Sequence, residues 1–247
     1  MQLLREKRTE KNKKRRKNRL SHSQKLKQGI TITKQERSEM FEKAIQSLSK
    51  SLEIMEENIK SKKFTKKYEE IIFKYQKELL LTMTWSCGLV VVQRREVMEL
   101  LTISNILFHQ KEQCFCLVID IAEKADRSIR TEEVPLLFPR QLTQFIRFWV
   151  DKLRPKLIKD TNILSFWIGK RTKCGVSGST LNAWLKESSK DIIGKQLGFL
   201  ESRHTYATHA VLESKNMSDE EKSKYFKKIV CFCYFFNLIS LVEFGMS

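Results

Sequence analysis

The sequence predicts a mainly α-helical chain carrying one small β-hairpin. Glycine (8) and proline (3) are scarce among the 247 residues, too few for the turn-rich connections of an all-β fold. Apolar residues recur at helical spacing over long stretches. One strand-like run, residues 114–121, is followed by a polar turn and then by Val134-Pro135-Leu136. Lys and Arg total 47 against 29 Asp and Glu, a formal charge of +18. That excess points to a polyanionic partner, nucleic acid before membrane.

Residues 1–28 hold twelve Lys or Arg and two Glu, a net +10, densest at Lys13, Lys14, Arg15, Arg16 and Lys17. A run this basic repels itself, so residues 1–30 are expected to be a disordered arm that binds phosphates, serves nuclear import, or both. The bland alternative is a solubilising tail. The charged start has no apolar core, so no secretory signal is expected and a reducing compartment is the default. The six cysteines include two Cys-x-Cys pairs, Cys114/Cys116 and Cys231/Cys233. Both pairs lie in apolar runs without a well-spaced His, and neither a metal nor a cofactor is expected.

Residues 31–84 read as a helical region. Thr33 and Glu36 have the spacing of a capping box. Phe41, Ile45, Leu48, Leu52, Met55 and Ile59 then fall on one stripe, and the basic stretch 60–63 interrupts the helix. A second helix from about Thr65 carries Tyr68, Ile71, Ile72, Tyr75, Leu79 and Met83 on one face. Core packing accounts for both stripes. Lys-rich outer faces would permit this pair to clamp DNA.

Further on, Leu142, Phe145, Ile146 and Trp149 share a helical face, and Pro155 is expected to close that helix. Residues 164–167 are a short apolar segment. A basic loop follows at 169–175, and Ser177 or Ser179 caps a helix bearing Leu181, Trp184 and Leu185. Then comes Arg203-His204-Thr205-Tyr206-Ala207-Thr208-His209. Here a guanidinium is expected at a helix N-terminus, where unpaired backbone N–H groups would help it hold a phosphate. Met217 to Glu221 looks like another helix start. Residues 229–247 turn abruptly apolar, but the run is short of the about 20 residues that span a bilayer. Burial is expected there rather than a membrane span.

Three stretches resemble the tyrosine recombinase (phage integrase) family, including its eukaryotic transposon-borne, Crypton-like members. Leu200 to Thr208 is similar to the family's His-x-x-Arg box, which often continues Arg-His-Thr-Phe-Ala-Thr. The first His is replaced by Leu200. Residues 101–106 resemble the end of the family's first arginine helix, which aligns Arg94, or Arg95 by a one-residue slip, with the first catalytic Arg. The family's Glu then falls on Val97, a departure flanked by Glu96 and Glu99. The strand, charged turn and Val-Pro-Leu are similar to the hairpin whose turn holds a catalytic Lys, here Lys124. The resemblance covers about 85–228 as catalytic domain, with 31–84 in the place of the core-binding domain and 229–247 as a divergent tail.

The resemblance implies DNA recombination or integration through a 3′-phosphotyrosine, without a metal. It implies Arg94, Lys124 and Arg203 as catalytic, with Tyr234 near the expected distance for the nucleophile. It also implies Arg127, Arg130, Lys170, Arg171 and Lys173 as DNA contacts, a nuclear location in a eukaryote, and a homo-oligomer on DNA. With Leu200 at the box and no Gly-His pair before Tyr234, weakened or absent cleavage is expected. The alternative is a basic helical nucleic-acid-binding protein with no catalytic history.

Overall fold

The computed structural model describes Gln24 and residues 31–60, 66–85, 95–118 and 136–222. The fold is mainly helical with a small antiparallel sheet. Helix α1 runs Lys34–Lys60 and α2 runs Lys66–Trp85. The cap ahead of α1 forms as the spacing predicts: Thr33 N–H donates to Glu36 Oε2 (2.8 Å) and Glu36 N–H to Thr33 Oγ1 (3.1 Å). Phe41, Leu48 and Met55 of the predicted stripe are buried, joined by Met40 and Ala44. Nearly all of α2 is enclosed; its described exposed side chains are Glu70 and Lys74. The sequence pattern locates one buried stripe, but tertiary neighbours cover the other faces of α2 as well.

Helix α3 (Arg95–Glu99) leads through a 3₁₀ turn (Ile103–Asn105) into β1 (Ile106–His109), β2 (Cys114–Leu117) and β3 (Leu136–Leu137). Strand β2 is central. It pairs antiparallel with β1 (Phe108 opposite Phe115) and with β3 (Cys116 opposite Leu137). The predicted hairpin is therefore β2–β3, and β1 is an addition to it. Only Ile106 of β1 is fully buried, so the strand lacks the alternation that would have marked it.

Residues 140–157 form one helical run: a 3₁₀ turn (Arg140–Leu142), α4 (Thr143–Phe148), a π turn (Trp149–Leu153) and α5 (Arg154–Leu157). Pro155 does not end the helix. Its ring would clash with the carbonyl four residues back in a regular helix. The π turn widens the backbone just before it, with Arg154 N–H donating to Trp149 O, five residues back. Helix α6 (Gly178–Ile193) starts on Ser177, whose hydroxyl accepts from Thr180 N–H (3.4 Å). It ends at Gly194, where φ is +72°, a left-handed cap that glycine adopts without strain. Helix α7 (Phe199–Ser214) follows, and a capping box between Ser218 and Glu221 opens a further turn.

One apolar cluster runs from Ile32 to Phe199 and takes in Trp85, Trp149, Trp167, Tyr75, Phe145 and Phe166. Truncating one buried aromatic of this kind costs about 3–5 kcal/mol, whereas an exposed ion pair contributes about 0–1 kcal/mol. The surface pairs Lys77–Glu187 (2.7 Å) and Lys34–Glu213 (2.6 Å) therefore orient elements that the core holds. Buried polar groups are matched across the same core. Gln76 of α2 takes both backbone groups of Ile168, donating to its carbonyl (2.9 Å) and accepting from its N–H (2.6 Å). Tyr75 OH donates to Phe145 O (2.9 Å).

Candidate nucleic-acid interface

Helix α7 begins against α6. A Cβ on Gly198 would stand 2.4 Å from Asn182 Oδ1, so a larger residue there would have to displace that side chain. Asn182 accepts the Phe199 N–H (3.0 Å), and Glu201 reaches back to the Gly198 N–H (2.8 Å). The helix thus opens four residues before Arg203, and these first-turn donors are already taken. The N–H groups of Gly198 and Phe199 are therefore not free for a phosphate. Arg203 is half-buried, one turn inside α7.

The same helix grips the start of the folded chain. Thr205 and His209, at i and i+4, lie on one face. Ile32 N–H donates to Thr205 Oγ1 (3.3 Å), and His209 Nε2 bonds Ile32 O (3.0 Å). Both backbone groups of Ile32 are held, and Thr31 and Ile32 are fully buried. Tyr206 adds a second attachment. Its ring stacks on Trp85 at the end of α2 (centroids 6.2 Å apart, 28° between planes), and the Arg37 guanidinium lies 5.0 Å from its centroid. The i, i+4 hydroxyl and imidazole were the only signal of this clamp in the sequence, and nothing in it named Ile32 as the partner.

Because Nε2 faces a carbonyl, it carries the proton, and Nδ1 is buried with no hydrogen-bond partner. Burial pushes the His209 pKa down, Arg37 and Lys34 of α1 push it further, and the Ile32 carbonyl and Glu213 oppose this. A histidine whose folded pKa lies below its unfolded value of about 6.5 stabilises the fold fully above that value. The contribution is lost as pH falls from there toward the folded pKa. The urea midpoint of the wild type is therefore expected to fall more between pH 7.5 and pH 5 than that of His209→Gln. Equal losses in the two proteins would disprove the assignment.

The basic loop lies between Ile168 and Gly175, which form an isolated β-bridge. Its three cations differ. Lys173, at φ +57°, turns inward, pairs with Glu69 of α2 and lies 5.4 Å from the Phe73 ring centroid. Lys170 is 3.7 Å from Glu70. Arg171 is exposed and makes no ion pair among the described residues. Lys173 thus ties the loop to α2, and Arg171 is the cation left for an outside anion. The outer face of α1 is not Lys-rich. Its exposed described side chains include Glu39, Glu42, Glu53, Glu56 and Glu57 against Lys34, Lys43 and Lys50, which argues against a DNA-clamping role for that face.

Arg95 opens α3 and is exposed. Glu99, on the last turn of α3, accepts the Gly178 N–H at the start of α6 (2.7 Å), a link between elements 79 residues apart. Leu200, where the family box has its His, is 51% exposed. Arg94, Lys124, Arg127, Arg130, Tyr234 and the arm residues Lys13, Lys14, Arg15, Arg16 and Lys17 lie outside the described residues. Sequence reasoning missed Arg154, which is 4% exposed and donates to the carbonyls of Ser165 (2.9 Å) and Ile163. Its one signal was position, between Leu153 and Leu157 on the apolar side of its helix. Cys114 and Cys116 are buried thiols on β2, and burial pushes both pKa values up, which makes them poor nucleophiles.

Among the described residues no helix is long and apolar enough to cross a membrane. No protein-family model, curated protein or solved structure matches the chain.

Proposed function

We propose that the chain is a DNA-binding protein of the tyrosine-recombinase type whose strand-cleaving chemistry is weakened. The order of elements supports this reading: the arginine stretch at 94–95, then a small antiparallel sheet with a charged β2–β3 connection, then α7 with Arg203. The +18 charge and the basic arm support a DNA partner. In this scheme Arg203 and Arg94, or Arg95, hold the non-bridging oxygens of the scissile phosphate and stabilise the charge that develops on them. The phenol of Tyr234 releases its proton to solvent, and its oxygen bonds to phosphorus. The bond to the 5′ oxygen breaks, and that oxygen takes a proton from Lys124. Leu200 removes an acid/base group from this scheme, because an isobutyl side chain can neither donate nor accept a proton. Action as a homo-oligomer on paired sites, and nuclear import through the Lys13–Lys17 run in a eukaryotic host, belong to the same proposal.

The second reading is a non-catalytic nucleic-acid-binding protein, and the exposed Leu200 is the observation that favours it. A nicked duplex that traps the covalent intermediate separates the two. The recombinase reading predicts a low yield of protein–DNA adduct, abolished by Tyr234→Phe and raised by Leu200→His. The expected rise is about 100-fold, the lower end of what a general acid–base group contributes. Salt-sensitive binding with no adduct from the wild type or from Leu200→His, over a panel of target sequences, selects the second reading. Absence of salt-sensitive binding rejects both.

A further inference from the structure

We infer that the outer face of residues 140–159 is a docking strip for the phosphate backbone of a DNA duplex, carried by Arg147, Lys152 and Lys159. The inference rests on the DNA-binding reading and names a surface that the recombinase resemblance does not assign.

The fold puts these cations on one side. Phe145, Trp149, Leu153 and Leu157 are buried at an even spacing of four. A regular α-helix, at 3.6 residues per turn, lets residues five apart drift onto different faces. The π turn Trp149–Leu153 takes an extra residue into the turn, so Arg147 and Lys152 both stand away from the core and are exposed. Lys156 is exposed one turn on from Lys152, and Lys159 is exposed just past the end of α5. From Arg147 to Leu157 the strip is about 15 Å long. A duplex presents about nine phosphate charges over that length.

Cations on α1, α2 and α6 are largely offset by acids. Lys34, Lys77 and Lys195 each face a carboxylate. Lys43 and Lys50 stand among the acids of α1, and α6 carries Lys186 and Lys190 against Glu187 and Asp191. At the head of the strip Arg140 is also neutralised, 3.7 Å from Glu112 Oε2. Beyond it, Arg147, Lys152 and Lys159 pair with no carboxylate among the described residues. The Arg147 guanidinium lies 5.1 Å from the Phe108 ring centroid, a contact that orients the group and leaves its charge uncompensated. The acids of the strip are Asp151 and Asp160, and Asp160 already accepts the Asn162 N–H (2.9 Å). No large apolar side chain is exposed between residues 140 and 159. A helix that lies on a membrane buries such side chains among the lipids, so nucleic-acid phosphate is the polyanion that fits.

The test uses the full chain with a labelled 30-base-pair duplex, read by fluorescence anisotropy from 50 to 200 mM salt. Changing Arg147, Lys152 and Lys159 together to Gln is expected to make the slope of log K against log salt shallower by about 2.7, and to weaken binding about 100-fold at 0.15 M salt. Changing Lys43, Lys50 and Lys190 to Gln removes the same charge from α1 and α6 and should move the slope by less than about 1. All six side chains are exposed, so both variants should keep the thermal midpoint of the wild type. A second measurement needs no variant: acylation of Lys152 and Lys159 in the wild type, read by mass spectrometry, should slow when duplex is added, while that of Lys43 does not. Equal slopes in the two variants, with no protection of Lys152 and Lys159, overturn the strip, and the DNA-binding reading then stands on the wild-type slope. A strip variant that loses binding to phosphatidylserine vesicles but keeps duplex binding also overturns it. If the wild type shows no salt-dependent duplex binding, the DNA-binding reading fails and the strip fails with it.

Discussion

Replacing Lys13, Lys14, Arg15, Arg16 and Lys17 together by Gln is expected to weaken duplex binding at least 100-fold near physiological salt. The slope of log K against log salt should become shallower by about 4. Both figures follow from counterion release, in which each neutralised phosphate contributes about 0.9 to the slope. Five charges give a slope change of about 4.5 if all engage phosphates, and about 3.7 decades in affinity at 0.15 M salt. The 100-fold bound allows roughly half of them to be engaged. The five residues are a small part of the chain but carry +5 of its formal +18. A solubilising tail would behave differently, with little change in slope and a loss of solubility instead. The arm precedes the buried Thr31–Ile32 segment, so the five substitutions should leave the thermal midpoint unchanged. A slope change below 1 with full solubility would reject the arm as a DNA-binding element.

Local patterns made much of the fold legible. The Thr33–Glu36 box and the stripe from Phe41 to Ile59 located α1, and Ser177 located the start of α6. The face of Leu142, Phe145, Ile146 and Trp149 is buried as its spacing requires. These are interactions within one helix or across its cap, and their periods are visible in the chain. What escaped notice depends on contacts far apart in sequence. Ile32 meets Thr205 and His209, 173 and 177 residues away. Glu99 meets Gly178, and Lys173 meets Glu69 across 104 residues. No periodicity announces which cation will find a carboxylate, so the basic loop at 169–175 looked uniformly available. In the structure it divides into an anchored Lys173 and an exposed Arg171. Pro155 misled for a related reason: a proline ends a regular helix, but the π turn before it makes room for the ring. For the candidate site, the sequence located α7 and its Arg203 but placed the helix start a turn too late. The residues that join α7 to the rest of the fold had no local signature.

Among the buried polar side chains, a large effect on stability is expected at Arg154. Its guanidinium is 4% exposed and donates to the carbonyls of Ile163 and Ser165. No carboxylate pairs with it among the described residues. Burial pushes its pKa down, but an arginine stays charged across the accessible pH range. A charge buried against neutral carbonyls is costly, and Arg154→Ala would relieve that cost. Two terms oppose the relief. Each carbonyl left unpaired in the interior costs about 1–3 kcal/mol, and the vacated volume adds a cavity term. The balance is expected to destabilise the fold by about 3 kcal/mol, with a lower urea midpoint and an unchanged m-value. Arg154→Lys should lose less but still measurably, because one ammonium lacks the planar fork that serves two carbonyls at once. Lys152→Ala on the exposed side of the same helical run is the control, expected to stay within about 0.5 kcal/mol of wild type. Were Arg154→Ala no worse than that control, its two carbonyl bonds would not be holding residues 163–165. The consequence reaches the candidate interface. Residues 163–168 lead into the basic loop, and Ile168 is fastened on its other side by Gln76. Loosening Arg154 should therefore raise amide exchange in residues 163–175 before it affects α7, whose contacts run to Ile32, Trp85 and Arg37 instead.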